Sequence, residues 1–171
     1  MANTYTQLYI QFVFAVKYRQ ALIHASWKNE LYKYITGVVQ NKEGKMLAIN
    51  GMPDHIHIFV GYKPKISMSD LVKDIKLASN EWINGSNFTK RKFGWQEGYG
   101  AFSYGRSQIH DVCTYIENQE MHHKKKTFTE EYISFLKAFD IDYEDKYLFD
   151  FFDDELGSTP LESVKTFDDW L

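Results

Sequence analysis

The chain has one cysteine, Cys113, in 171 residues, so no internal disulfide can form and a reducing cytoplasm is the expected setting. No apolar run approaches the roughly 18–20 residues that a membrane-crossing helix needs, so no membrane association is expected. Met1-Ala2-Asn3 passes straight into a strand-like alternation, without the basic and apolar regions of a secretory signal. Internal repeats and low-complexity runs are missing too. What remains is one domain, large enough for a proper core. Aromatic residues are plentiful at 17 %, which suits a β-containing core and leaves some rings free to stack on a partner.

The net charge of −3 hides a division. Residues 1–139 carry 18 Lys and Arg against 12 Asp and Glu, a net +6, whereas residues 140–171 carry 2 against 11, a net −9. The mildly basic body is compatible with a nucleic-acid partner without demanding one. So dense an acidic segment usually reads as solvated or loosely docked. The expected division is therefore a domain over residues 1–140 and an acidic extension over 141–171. Tyr147, Leu148, Phe149, Phe151 and Phe152 give that extension apolar groups with which to dock.

The most informative stretch is Asn50-Gly51-Met52-Pro53-Asp54-His55-Ile56-His57-Ile58-Phe59-Val60-Gly61. Pro53-Asp54 supplies a turn. Ile56, Ile58 and Val60 then alternate with His55, His57 and Phe59, as on a strand. Successive strand residues face opposite ways, so the aliphatic side chains enter a core and the imidazoles share the other face. Their Cβ atoms should lie roughly 6–7 Å apart, within reach of one metal ion. Such histidines can equally be satisfied polar groups on a half-exposed strand. Two imidazoles make only part of a metal site, so a third ligand must come from elsewhere.

Around this strand the pattern predicts an order βαββαβ. A first strand runs from Tyr5 to Val16, with Leu8, Ile10, Phe12 and Phe14 on one side. Ser26 is placed to cap a helix to about Val39, and Lys45 to Asn50 is a strand. Ser67 or Ser69 caps a second helix with Leu71, Val72, Ile75, Ala78 and Trp82 buried, ended by Asn84-Gly85. Phe93 to Tyr104 is a further β-like run. The fold class expected is α+β, a ferredoxin-like antiparallel sheet with helices on one face and the other face free. A third helix from near Ser107 buries Ile109, Val112, Cys113 and Ile116. Tyr115 and Gln119, four residues apart, then share a neighbouring face of it. Phe128 to Phe139 is a further helix, with Tyr132, Phe135 and Leu136 inward.

A tyrosine can act as a nucleophile when its hydroxyl is accessible and a divalent cation neutralises the phosphate beside it. Gln119 offers a carbonyl oxygen as a third ligand beside two imidazoles. Met52-Pro53-Asp54-His55-Ile56-His57, followed downstream by Tyr115-Ile116-Glu117-Asn118-Gln119, resembles the single-tyrosine transposases of the HUH superfamily. These are the IS200-like insertion-sequence transposases, with REP-associated tyrosine transposases as relatives. The resemblance covers about residues 5–140 and leaves the acidic extension outside it. It implies that His55, His57 and Gln119 hold Mg²⁺ or Mn²⁺. It implies that Tyr115 attacks a DNA phosphodiester, giving a 5′-phosphotyrosine link and a free 3′-hydroxyl. It also implies single-stranded DNA with hairpins as substrate, and a homodimer whose active sites are shared between subunits. Gly105 is the expected hinge for that exchange.

Lys63, Lys65, Lys90, Arg91, Lys92, Arg106, Lys124 and Lys125 are candidates for DNA phosphate contacts, although surface lysines are commonly just solvated. Trp95, Tyr99, Phe102 and Tyr104 lie among them and could stack on bases or fill the core. His110, His122 and His123 are rival ligands; His122, one turn beyond Gln119, could be a fourth ligand or a general acid. The competing reading is a non-catalytic ferredoxin-like domain that binds RNA or single-stranded DNA on an open sheet face. The opening strand lacks the aromatic pair, and the fourth strand the Lys/Arg-Gly-Phe pattern, of such domains. A zinc hydrolase fits less well, because zinc enzymes seldom recruit glutamine.

Overall fold

The computed structural model describes residues 3–144 and Leu148. Four strands, β1 (Tyr9–Ala15), β2 (Lys45–Met52), β3 (His55–Gly61) and β4 (Gly100–Tyr104), form one antiparallel sheet in the order β2-β3-β1-β4. The crossovers are α1 (Lys28–Asn41) and α2 (Met68–Gly85), completing βαββαβ. Three helices follow: α3 (Ile109–Glu117), α4 (Gln119–His123) and α5 (Phe128–Ala138).

The period-2 pattern of β1 and β3 divides the molecule into two cores. Ile10, Phe12, Phe14 and Val16, with Ile56, Ile58 and Val60, pack beneath α1 and α2. On those helices Leu31, Ile35, Val39, Leu71, Val72, Ile75 and Ile83 complete the layer. Val13, Ala15, Phe59 and Phe102 point the other way, against Val112, Ile116, Phe128, Tyr132, Phe135 and Leu136. The second face is therefore covered. The α3–α5 segment folds back over it, which removes the open platform that a stacking RNA-binding domain would use. Of the four aromatics proposed for base stacking, Trp95 and Phe102 are buried and Tyr99 and Tyr104 partly buried, each against other rings. Trp95 lies on Phe14 and Phe93, Tyr99 on Phe12, Phe102 on Phe135, and Tyr104 on Phe59.

Local details depart from the sequence pattern for identifiable reasons. Ser67 caps α2 by accepting the Asp70 N–H, whereas the Ser26 hydroxyl bonds His24 and leaves Trp27 at the N-cap of α1. The last turns of α2 bury Ser79 and Ile83 in place of Ala78 and Trp82, because the 3.6-residue period drifts along an 18-residue helix. Only residues 100–104 of the long β-like run pair in β4; Trp95 makes one isolated bridge to Val16. Gly105 has ordinary extended dihedrals (φ −81°, ψ 163°), so no glycine freedom is used there. The expected docking of Tyr147, Phe149, Phe151 and Phe152 lies outside the described residues; Leu148 packs against the second core.

Candidate metal and nucleophile site

The β2–β3 hairpin sets the position of the histidines. Met52 pairs with His55, so Pro53-Asp54 forms the whole connection. The Val16 N–H donates to the Asp54 carbonyl at 2.8 Å, and the Ile23 N–H to the Pro53 carbonyl at 2.9 Å, which pins this tip to β1 and the loop beyond it. Gly51 is needed by space: a Cβ there would stand 2.2 Å from the His55 carbonyl oxygen. Both histidines follow on the face covered by α3–α5, and both are fully buried.

Each imidazole is oriented by a partner on its Nδ1. His55 Nδ1 lies 2.7 Å from Asp54 Oδ1, and Asp54 Oδ2 is in turn 3.1 Å from Arg19 Nη2. The ring stacks on Phe128, with centroids 3.8 Å apart. An ionised carboxylate can only accept, so Nδ1 carries the proton and Nε2 is left with a lone pair. That Nε2 is buried with no hydrogen-bond partner. Burial lowers the His55 pKa against the pull of Asp54, so the ring is neutral. Burial would raise the Asp54 pKa, but the His55 hydrogen bond and the Arg19 charge hold it below the usual carboxylate range.

His57 Nδ1 is 2.9 Å from the buried Gln11 Nε2, and Gln11 Oε1 accepts from Tyr104 Oη at 2.8 Å. With Gln11 so turned, His57 Nδ1 accepts, and its Nε2–H donates to Glu131 Oε1 at 2.9 Å. A cation on Nε2 would require the proton on Nδ1 and the Gln11 amide reversed. Nothing else in that chain need change, because a tyrosine hydroxyl can donate or accept.

Glu131, not among the residues expected at the site, is its centre. It reaches in from α5 and is 1 % exposed. Its Oε1 lies 2.9 Å from His57 Nε2, 3.7 Å from His55 Nε2 and 3.5 Å from His123 Nε2. Its Oε2 accepts the Tyr115 hydroxyl and sits 3.5 Å from Gln119 Nε2. His55, His57 and Glu131 together could hold a metal ion, their donor atoms all within 4.8 Å of one another. Burial would raise the Glu131 pKa, but His57, His123 and His55 hold it well below the ordinary carboxylate value. Glu131 was visible in principle: it lies three residues after Phe128 and four before Phe135, on the buried stripe of α5.

Tyr115 is 6 % exposed, its ring 6.1 Å from that of His57. Burial, and then the Glu131 charge, raise its pKa well above 10, so the hydroxyl stays protonated. Tyr115 and Gln119 do not share one continuous helix. The chain breaks at Asn118, where α3 ends and α4 begins, and Gln119 opens the shorter helix. Gln119 is nonetheless buried beside Glu131, with its Oε1 3.2 Å from His123 Nε2. His122 packs on the Tyr115 ring at 4.5 Å, while the adjacent His123 faces the carboxylate. All these groups come from one chain. Within the single chain, α3–α5 lie back on their own sheet and bring these groups together in cis; the expected exchange of the tyrosine helix is a relation between two chains.

The strand register sorts the basic candidates. Gly61 pairs with Tyr9, and Tyr9 with Tyr104, so Lys63, Lys65 and Arg106 follow at the sheet end opposite His55. Lys65 is already bonded to Glu43 at 2.5 Å. Lys90, Arg91 and Lys92 lead into Gly94 and Trp95, which bond Lys17 and Val16 at the histidine end. Lys124 and Lys125 follow His123 directly. Beside His123 a cavity of about 370 Å³ is lined by Lys28, Tyr32, Gly51, Glu120 and Lys124, among others.

The family model for "Transposase IS200 like" matches residues 4–119. The chain belongs to the IS200-like transposase family. Among solved structures it is similar to a Deinococcus radiodurans R1 protein described as a candidate transposase, with 22 % identity and a TM-score of 0.57. The match covers 70 % of this chain and 95 % of that one. It is similar also to a REP-associated tyrosine transposase bound to a REP hairpin, with 15 % identity and a TM-score of 0.53. That match covers 72 % of this chain and 73 % of the other. At such identities both share the fold. No curated protein matches the chain. Among the described residues no helix is long and apolar enough to cross a membrane.

Proposed function

We propose that this transposase is a metal-dependent enzyme that cleaves and rejoins single-stranded DNA at insertion-element ends, with Tyr115 as nucleophile. The observation that carries the reading is the lone pair on His55 Nε2, buried and without a partner, facing a carboxylate that also accepts the Tyr115 hydroxyl. A buried acceptor with nothing to accept is costly unless a cation fills the gap. His55 and His57 are the imidazole ligands, and oxygen donors stand on Gln119 and Glu131. The bound divalent cation, Mg²⁺ or Mn²⁺, would supply Lewis-acid polarisation of the scissile phosphate.

The chain's own residues do the remainder. Asp54 and Gln11 fix the two imidazoles from behind. Tyr115 forms its O–P bond as the P–O3′ bond breaks; its proton passes from Oη to Glu131 Oε2, which accepts it in the structure, and the departing 3′-oxygen takes up a proton to leave as the 3′-hydroxyl. The link stores the energy of the broken ester, so rejoining is the reverse displacement by a 3′-hydroxyl. The substrate is expected to carry hairpins, as the REP hairpin of the structural relative suggests.

Access is the remaining requirement, because Tyr115, His55 and His57 are buried. His123, whose side chain is 9 % exposed, stands between Glu131 and the cavity lined by Lys28 and Lys124. The five-residue α4, bounded by the break at Asn118, is the element that must move for a phosphodiester to enter. Lys124 and Lys125 would then meet the backbone, and Lys90–Lys92 its continuation. Lys63, Lys65 and Arg106 would serve only a strand that wraps to the far end. The homodimer and the bacterial cytoplasmic setting belong to the same proposal, with each active site completed in cis.

A library of random single strands tests the reading. Incubated with the protein and Mg²⁺, it should give a covalent adduct on a denaturing gel. The same library as duplex, or single strands with EDTA, should give none. An adduct that forms equally well with EDTA would refute the metal requirement.

A further inference from the structure

We propose that Glu131 on α5, and not Gln119, is the third protein ligand of the cation, and that Gln119 positions it. The inference rests on the metal reading above. A fully buried carboxylate needs a compensating charge, and the ion-pair partners of Glu131 among the described residues are all imidazoles. His55 is one of them, and its Nε2, 3.7 Å from Glu131 Oε1, is buried with no hydrogen-bond partner. Two imidazoles and one carboxylate attract a divalent cation far better than two imidazoles and an amide.

Spacing agrees with this. Donors about 2.1 Å from one ion, at angles of 90–110°, stand roughly 3.0–3.4 Å apart. The separations of Glu131 Oε1 from the two Nε2 atoms, 2.9 and 3.7 Å, straddle that range. Gln119 is turned the other way. Its Nε2 faces Glu131 Oε2 at 3.5 Å, which an acceptor-only carboxylate requires, and its Oε1 is engaged by His123 Nε2 at 3.2 Å. A reversed amide would set oxygen against oxygen and nitrogen against His123.

The same carboxylate holds the Tyr115 hydroxyl through its second oxygen. The position of the nucleophile is thereby tied to the group that binds the cation. The family match ends at residue 119, so this ligand would come from a helix beyond the matched segment.

Mn²⁺ binding to the full chain, measured by calorimetry and by the EPR signal of free Mn²⁺, tests the assignment without any activity readout. Glu131→Gln is isosteric and should weaken binding at least tenfold, as His57→Ala does, whereas Gln119→Ala should stay within about threefold of wild type. The reverse ranking, with Gln119→Ala losing tenfold and Glu131→Gln unchanged, would overturn the inference and make the carboxylate a hydrogen-bond partner of the histidines alone. Circular dichroism checks folding. Should Glu131→Gln not fold, Glu131→Asp takes its place, and a smaller loss there than in Gln119→Ala overturns the inference equally. Unchanged binding in both His55→Ala and His57→Ala would instead refute the metal reading itself.

Discussion

Replacing Asp54 tests how the turn before the strand prepares the site. Asp54 Oδ1 holds His55 Nδ1 at 2.7 Å, and Oδ2 meets Arg19 at 3.1 and 3.3 Å. Asp54→Ala removes both contacts, leaving the buried imidazole N–H without its acceptor and Arg19 without this ion pair. The pair is mostly but not wholly buried, with side chains 16 % and 18 % exposed. The stability cost is therefore about 1–3 kcal/mol, below that of a fully buried pair. The effect on the metal is separate. Loss of the group that fixes a ligating imidazole typically costs 10–100-fold in affinity, or about 1.4–2.8 kcal/mol. Asp54→Asn keeps an acceptor for Nδ1 and loses the charge, so its affinity should fall between wild type and Asp54→Ala. Arg19→Ala spares the Asp54–His55 bond and should lower the melting temperature with little change in Mn²⁺ affinity. Calorimetric Mn²⁺ titrations beside thermal melts separate the two effects. Wild-type affinity in Asp54→Ala would refute the view that Asp54 orients His55 for a cation.

Gly51→Ala should destabilise by about 2 kcal/mol or more and weaken metal binding with it, because its Cβ meets the His55 carbonyl at 2.2 Å; a melt within 1 °C of wild type would contradict this. Stability should fall on acidification below about pH 6.5. The buried His55 has a lowered pKa, so the unfolded chain takes up its proton first, and each further pH unit costs up to ~1.4 kcal/mol from this group. Denaturant melts at pH 7 and 5.5 check the sign, and greater stability at pH 5.5 would show that His55 is charged in the fold. Mixing His57→Ala with Tyr115→Phe protomers should restore no DNA cleavage, since neither chain holds a complete cis site; an adduct appearing on the His57→Ala chain would establish exchange between subunits.

The fold was legible wherever local pattern decides it. Alternation in β1 and β3 assigned Phe12, Phe14, Ile56 and Ile58 to one core and His55 and His57 to the opposite face, and of the two serines offered as the cap of α2, Ser67 takes the place. What could not be read was where the residues after Tyr104 go. The apolar stripes of α3 and α5 say that they bury something, without naming which sheet face receives them. The open-face expectation failed on that point, since α3–α5 cover the second face of their own sheet. Tyr115 and Gln119 were read as one helix because nothing at Asn118 forbids helix; tertiary packing, with Asn50 Nδ2 bonded to the Glu117 carbonyl at 3.0 Å, marks where it breaks. Glu131 was passed over for a related reason. A single glutamate between apolar residues looks like a solvated position until the imidazoles opposite it are known.

The central claim is that Tyr115 carries the DNA, and mass spectrometry of the trapped adduct tests it most directly. Protein incubated with single-stranded DNA and Mg²⁺, then digested, should yield a 5′-phosphonucleotide on the peptide containing Tyr115. Tyr115→Phe should yield none while still binding DNA and Mn²⁺. An adduct that persists in Tyr115→Phe, or that maps to Tyr104, would contradict the assignment.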